Sequence, residues 1–215
     1  MGQAALGAGM SLVLDTLSAA FGSQRLFEKL SVVIAAGEIV TVMGPSGSGK
    51  TTLLSIVAGD MIDTLTAGGH VFLNNRDLTG LPPERRRIGR LFQDDLLFPH
   101  LTVGENLLFG VARGPRSERL LLMEDALERL ELQGFKDRAP HTLSGGQRAR
   151  VSLMRALLAK PDAMLLDEPF GKLDKTLRAT IRDHTFGRLR AQHIPTLLVT
   201  HDLEDVPPGG KVIHV

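Results

Sequence analysis

Eight residues, Gly44-Pro45-Ser46-Gly47-Ser48-Gly49-Lys50-Thr51, carry the spacing Gly-x-x-x-x-Gly-Lys-Thr. That spacing suits the holding of phosphate. The glycines let successive backbone N–H groups turn inward around phosphate oxygens. Lys50 can reach the β- and γ-phosphates, and the Thr51 hydroxyl can ligate Mg²⁺. Ser48 and Thr52 add further phosphate donors. The pattern is informative only between a strand and a helix. Here Glu38-Ile39-Val40-Thr41-Val42-Met43 precedes it as an apolar strand. Thr51 to Ala58 follows as an amphipathic helix whose N-terminal dipole would face the phosphates. A nucleoside triphosphate is the expected ligand.

A second apolar run, Ala163 to Leu166, ends on Asp167-Glu168. Asp167 is placed to hold Mg²⁺, through water, and Glu168 to polarise an attacking water as a general base. An acidic pair before Pro169 could by itself simply open a turn; the phosphate loop upstream favours chemistry. A third run, Thr196 to Val199, leads into Thr200-His201-Asp202.

These elements must be positioned by a sheet. Short continuous apolar runs fit strands buried on both faces, as in a helix-flanked parallel sheet. Polar, chemically capable residues then follow at the strands' carboxyl ends, where open α/β sheets bind ligands. Leu12-Val13-Leu14 and Leu30 to Ile34 read as strands around Gly22, and His70 to Leu73 with Ile88 to Phe92 as a further pair. Together they predict an antiparallel β portion. From Val103 to about Lys160 the pattern turns helical, with one helix over Arg116 to Leu132 and another from Leu143 to Lys160, ended by Pro161. Pro207-Pro208-Gly209-Gly210 is a turn before a last strand, Lys211 to Val215.

The bulk numbers exclude other classes. The chain has 215 residues, a formal net charge of +1 and no cysteine. Disulfides, thiolate metal sites and cysteine nucleophiles are therefore absent, and no global field argues for nucleic acid. No apolar run approaches the ~18–20 residues that span a bilayer. Residues 1–11 read as a flexible tail ahead of one domain over residues 12–215, and residues 1–9 as an extension before Met10. The run Glu84-Arg85-Arg86-Arg87 reads as a solvated face.

Leu143-Ser144-Gly145-Gly146-Gln147, between the phosphate loop and the acidic strand end, resembles the signature motif of the ABC ATPases. Further landmarks come in the family's order. Gln93 in Leu91-Phe92-Gln93-Asp94 resembles the Q-loop glutamine, Leu173-Asp174 the D-loop, and His201 the switch histidine. Phe21, before Gly22, sits where the family stacks the adenine. The resemblance covers residues 11 to 215.

The resemblance implies a P-loop NTPase core of mainly parallel sheet, an antiparallel β subdomain, and a helical subdomain inserted in the RecA-like core at about residues 95–158. It implies ATP and Mg²⁺, with two copies of the chain packed head to tail around two ATP molecules. Each ATP would lie on one chain's Gly44–Thr52 loop and under Ser144, Gly145, Gly146 and Gln147 of the other. Gln93 would contact Mg²⁺ or the lytic water, His201 the γ-phosphate, and Asp174 would link the two sites. Leu96-Leu97-Phe98-Pro99-His100-Leu101-Thr102-Val103-Gly104-Glu105-Asn106 resembles the segment of bacterial importer ATPases that receives a membrane subunit. The implied partners are integral-membrane permease subunits and, indirectly, a substrate-binding protein. The implied location is cytoplasmic, peripheral on the inner face of the cell membrane. The competing reading is a soluble ABC ATPase acting in cofactor assembly or repair. Three departures stand out. Gly171-Lys172 replaces the usual Ser-Ala before Leu173-Asp174. Pro207-Pro208 shortens the helix that usually follows the histidine. The chain also stops too soon for a C-terminal regulatory domain.

Overall fold

The apolar runs become central strands because both their faces are covered. In a computed structural model, which describes residues 10–60 and 62–215, the chain begins with β1 (Ser11–Phe21), β2 (Gln24–Ala35), β3 (Ile39–Met43), α1 (Lys50–Ala58), β4 (Leu65–Leu73), β5 (Arg76–Asp77) and β6 (Ile88–Leu91). It continues with α2 (Val103–Gly110), α3 (Arg116–Arg129), α4 (Gly145–Leu158), β7 (Ala163–Asp167), α5 (Lys175–Ala191), β8 (Thr196–Val199) and β9 (Lys211–His214). Residues 1–9 of the expected tail lie outside the described residues. Every residue of β3, β7 and β8 is buried. These strands lie in a five-stranded sheet of order β6-β7-β8-β3-β9, and β3 pairs in parallel with both β8 and β9. A four-stranded sheet of order β2-β1-β4-β5 holds the antiparallel pairings.

One expected pairing is corrected. The segment from Ile88 does not join His70–Leu73; it forms β6, at the edge of the sheet containing β7. The residues opposite β4 are those of β1 and β5. A short strand carries too little pattern to name its neighbour, and tertiary packing decides.

The described residues divide into two compact units. One comprises the chain up to Ile88, Asp162–Asp167 and Phe186–Val215; the other comprises Gly89–Pro161 and Glu168–Thr185. In the first, Leu12, Ile34, Val40, Val42, Leu53 and Leu165 belong to a core under α1. The solvated face expected over residues 84–87 holds for Glu84, Arg85 and Arg87, which are exposed, and is corrected at Arg86 alone. Arg86 is buried, its Nε donating to Leu81 O at 2.7 Å and its Nη1 to Ile56 O at 3.0 Å and Val57 O at 2.9 Å. The last carbonyls of a helix lack intrahelical partners. α1 has no basic residue in its own last turn, so Arg86 supplies the missing donors from 30 residues away. Burial holds its pKa below the usual guanidinium value. Arg87 makes a two-point contact with Asp162 at 2.7 and 3.2 Å.

The second unit is built around Val103, Leu107, Leu127, Val151 and Met154. Its centre is wired by Asn106, which is fully buried. The Asn106 amide donates to Phe98 O at 3.1 Å and Thr102 O at 2.9 Å, and its oxygen accepts from Phe98 N at 2.9 Å. Arg155 Nη1 adds a donor at 3.2 Å. This knot fixes the loop between Phe98 and Thr102, and the Thr102–Glu105 capping box starts α2. Asn106→Ala would leave the Phe98 N–H without its acceptor and strip the side-chain donor from the Phe98, Leu101 and Thr102 carbonyls. Its expected cost is about 2–4 kcal/mol, read as a lower denaturant midpoint with an unchanged slope.

Candidate functional site

The register brings the carboxyl ends of three strands level. Val42 pairs with Val199, and Val199 with Asp167. Gly44, His201 and Glu168 therefore all leave one edge of the sheet, one or two residues further along the chain. That edge is where an open parallel sheet offers a crevice for a ligand.

From β3 the chain enters the glycine loop. Gly47 and Gly49 have φ of +82° and +94°, conformations that side chains rarely tolerate. A Cβ on Gly44 would run into the Val215 carbonyl oxygen and the Ser48 hydroxyl. The loop ends in α1, whose N-cap is Gly49. No side chain caps α1 and no acidic residue lies in its first turn. The free amides and the dipole end of this helix are thus left for an anion. The Ser48 Oγ is buried without a hydrogen-bond partner, a cost a native fold usually avoids unless a ligand meets it. The Lys50 ammonium folds back to donate to Gly44 O at 2.8 Å and Pro45 O at 2.7 Å. A cavity of about 340 Å³ opens here, lined by Phe21, Gln24, Leu26, Gly47, Gly49, Lys50, Thr51 and Thr52. Phe21 and Gln24 face each other across a two-residue turn at Gly22-Ser23. Pro45 and Ser46 are exposed on the outer side of the loop.

At the ends of the neighbouring strands, Asp167 is only 2% exposed. Glu168 has φ of +49°, a strained backbone for a residue with a side chain. After β8, the buried Thr200 hydroxyl donates to Asp205 at 3.3 Å and accepts from Asp202 N at 3.1 Å. Asp202 accepts from Glu204 N at 2.9 Å and opens a short 3-10 turn, Leu203–Asp205. This compact turn lies between exposed His201 and Pro207.

In the second unit, Gln93 and Glu168 line one narrow crevice with Phe92, Asp95, Ala149 and Lys172. Its volume of about 10 Å³ is close to the room of one water molecule. Ser144 caps α4 in a reciprocal capping box: Ser144 N donates to the Gln147 side chain at 2.9 Å, and Gln147 N donates to the Ser144 hydroxyl at 3.2 Å. Gly145 and Gly146 form the first helical turn, which contains no acidic residue. Asp174 accepts from Leu177 N at 3.0 Å and so opens α5. That structural duty was not expected from its motif.

Residue spacing did not single out Gln24, Leu26 or Asp95. The two-residue turn after Phe21 carries the signal for the first pair, because alternate positions of β2 share a face. Asp95 becomes visible only through its partners, Arg148 and Lys172, at 3.3 and 3.4 Å. The Thr51 hydroxyl and Asp167 carboxylate are hard oxygen donors of the kind Mg²⁺ prefers. One carboxylate suffices where substrate phosphates complete the shell. Among the described residues no three His, Asp or Glu converge as an all-protein metal cage. No described helix is long and apolar enough to cross a membrane.

The comparisons with known proteins agree with this geometry. Residues 27–171 match the family model described as ABC transporter. The chain is 45% identical over 203 residues to the uncharacterized ABC transporter ATP-binding protein YnjD of Escherichia coli strain K12, covering 94% of each. It is 41% identical over 199 residues to the sulfate/thiosulfate import ATP-binding protein CysA of Thermosynechococcus vestitus. That match covers 91% of this chain but 58% of the relative, so the chain spans little more than half of that protein's length. Among solved structures, the dimeric structure of MJ0796, a bacterial ABC transporter cassette, has a TM-score of 0.80 at 31% identity, over 95% of this chain and 94% of that one. The same protein in a post-hydrolysis state bound to ADP and Pi also has a TM-score of 0.80, at 30% identity over the same shares.

Proposed function

The chain belongs to the ABC transporter family and is an ATPase of that family, and from that premise we propose that it powers a membrane importer by closing on ATP as a pair of identical subunits. The observation that carries the nucleotide assignment is the α1 N-terminus. It is uncapped, has no acidic residue in its first turn, and has a buried, unpartnered Ser48 hydroxyl beside it. In this reading the β- and γ-phosphates sit on the amides of Gly47 to Thr52, and Lys50 swings from the Gly44 and Pro45 carbonyls to the phosphates. Phe21 stacks on the adenine, with Gln24 and Leu26 beside it.

Thr51, Asp167 and Gln93 would hold Mg²⁺, which would supply charge neutralisation at the γ-phosphoryl group. Glu168 takes the proton of the attacking water. The water-sized crevice it lines with Gln93 supports that pairing. His201 contacts the γ-phosphate. From the second copy come Ser144, Gly145, Gly146 and Gln147, which present a second uncharged helix N-terminus to the same phosphate. The capping box leaves the Ser144 hydroxyl proton free to donate outward, since its oxygen is the acceptor. Asp174 lies at the start of α5, where it would link the two sites.

Import as the direction rests on the likeness to an import ATPase and on the segment after Gln93. There Leu96 and Phe109 are 56% and 67% exposed, and the Phe98 and Phe109 rings lie 4.6 Å apart. Large exposed apolar side chains such as these are the kind found at interaction surfaces. A permease subunit is its proposed occupant, which puts the protein on the cytoplasmic face of the cell membrane and only indirectly in touch with a substrate-binding protein. Purification of the tagged chain from gently solubilised membranes is expected to carry a polytopic membrane protein with it. Recovery only in a soluble complex would overturn the transport assignment in favour of an assembly or repair ATPase.

A further inference from the structure

Lys172 stands in the segment between Glu168 and Asp174, where a lysine brings a charge next to residues assigned to hydrolysis. Its ammonium lies 3.4 Å from Asp95 Oδ1 and 3.8 Å from Asp94 Oδ1. Asp95 is bound from a second direction: Arg148 Nε on α4 is 3.3 Å from its Oδ2, while Arg148 Nη1 donates to Leu143 O at 2.8 Å. One carboxylate thus holds two cations from segments 53 and 77 residues away in the chain. The segments it joins are the ones that carry Gln93, the Ser144–Gln147 helix start, and Glu168 with Asp174.

The three segments are packed tightly enough for this link to matter. A Cβ on Gly146 would sit 3.2 Å from the Lys172 carbonyl oxygen, closer than neighbours normally come. Asp95 and Lys172 also line the water-sized crevice together with Gln93 and Glu168. The Asp95 side chain is 12% exposed against 40% for Lys172 and 39% for Arg148. An isolated surface ion pair contributes little. A sheltered carboxylate bridging two cations is a network, and losing it leaves like charges facing each other across the gap.

We propose that Asp95 is a positioning residue for ATP hydrolysis, holding the Gln93, signature and Glu168–Asp174 segments in register through Arg148 and Lys172. The inference rests on the assignment of Gln93 and Glu168 to the hydrolytic step. Positional errors of about 1 Å cost on the order of 100-fold in rate, and a crevice with room for one water tolerates little drift. Asp95 acts through its neighbours, so its loss shows in turnover rather than in nucleotide affinity, which resides in the glycine loop of the other unit.

The test measures kcat, KM and calorimetric ATP affinity for the full chain. Asp95→Asn is expected to lower kcat about tenfold, with KM and affinity within twofold of the parent. Lys172→Met is expected to lower kcat in the same way, and the double variant to fall no further than Asp95→Asn alone, because the two share one interaction. Lys172→Arg, which keeps the charge, is expected to stay within twofold of the parent. The proposal is overturned if either Asp95→Asn or Lys172→Met retains parental kcat, if their effects multiply in the double variant, or if affinity falls as far as kcat. Lys172 is an exposed position, so Lys172→Met decides the matter even where Asp95→Asn is unstable. Glu168→Gln is assayed alongside. Rapid turnover by that variant would sink the assignment of the base, whereas a dead Glu168→Gln beside a fully active Asp95→Asn would sink the positioning role alone.

Discussion

Lys50→Ala is expected to weaken ATP binding on the order of 10²–10⁴-fold, because a charge-assisted hydrogen bond contributes roughly 1.5–3 kcal/mol and this ammonium would make two with the phosphates. The present geometry shows what the lysine would exchange. Its ammonium is held by the Gly44 and Pro45 carbonyls at 2.8 and 2.7 Å, both within the loop that would surround the phosphates. These contacts keep the cation on the glycine loop, so little reorganisation is needed for it to meet a phosphate. Alanine removes the charge and leaves a loop of amides and carbonyls, whose dipoles alone do not neutralise a triphosphate. Lys50→Arg is not a mild substitute, because a planar fork cannot replace a compact ammonium in so tight a loop. The chain has no tryptophan, so the titration is calorimetric or uses a labelled nucleotide. An affinity within threefold of the parent would remove the phosphate role from the loop.

The central strands and the glycine loop were legible in the sequence for one physical reason. Burial on both faces makes β3, β7 and β8 continuous apolar runs, and the chemistry follows directly at their ends. What was not legible depends on contacts distant in the chain. β6 is partly buried over Ile88–Arg90 and buried only at Leu91, a pattern that names no partner strand. Arg86 looks like one of several surface cations until α1 is seen to end without a cation of its own. The start of α4 is a middle case. The spacing Ser144-x-x-Gln147 is itself a capping-box signal, yet the signature resemblance drew attention to the same residues for another purpose. Both readings are compatible: the box fixes the helix end, and the fixed helix end leaves its amides aimed outward. Asp95 and Lys172 are 77 residues apart, and nothing in their local sequence ties them together.

Glu168→Gln is expected to lower kcat on the order of 10³-fold, within the range that a general base contributes, while leaving ATP affinity nearly unchanged. The amide keeps the size and shape of the carboxylate but cannot accept the proton of the attacking water. The backbone argues that the position is specialised. Glu168 follows the buried Asp167 directly and precedes the buried Pro169, and it adopts φ of +49°. Such a conformation costs about 1–3 kcal/mol for a residue with a side chain. Glutamine inherits the same strain, so a change in turnover reports the missing base and not a relaxed loop. Affinity is expected to survive because the phosphate contacts are assigned to the glycine loop and Lys50. With binding intact and hydrolysis blocked, the closed pair of subunits is expected to persist, and light scattering with ATP should report about twice the mass seen without it. Single-turnover measurements separate the two effects. Rapid phosphate release by Glu168→Gln would move the base elsewhere on the same sheet edge, with His201 the first residue to substitute next.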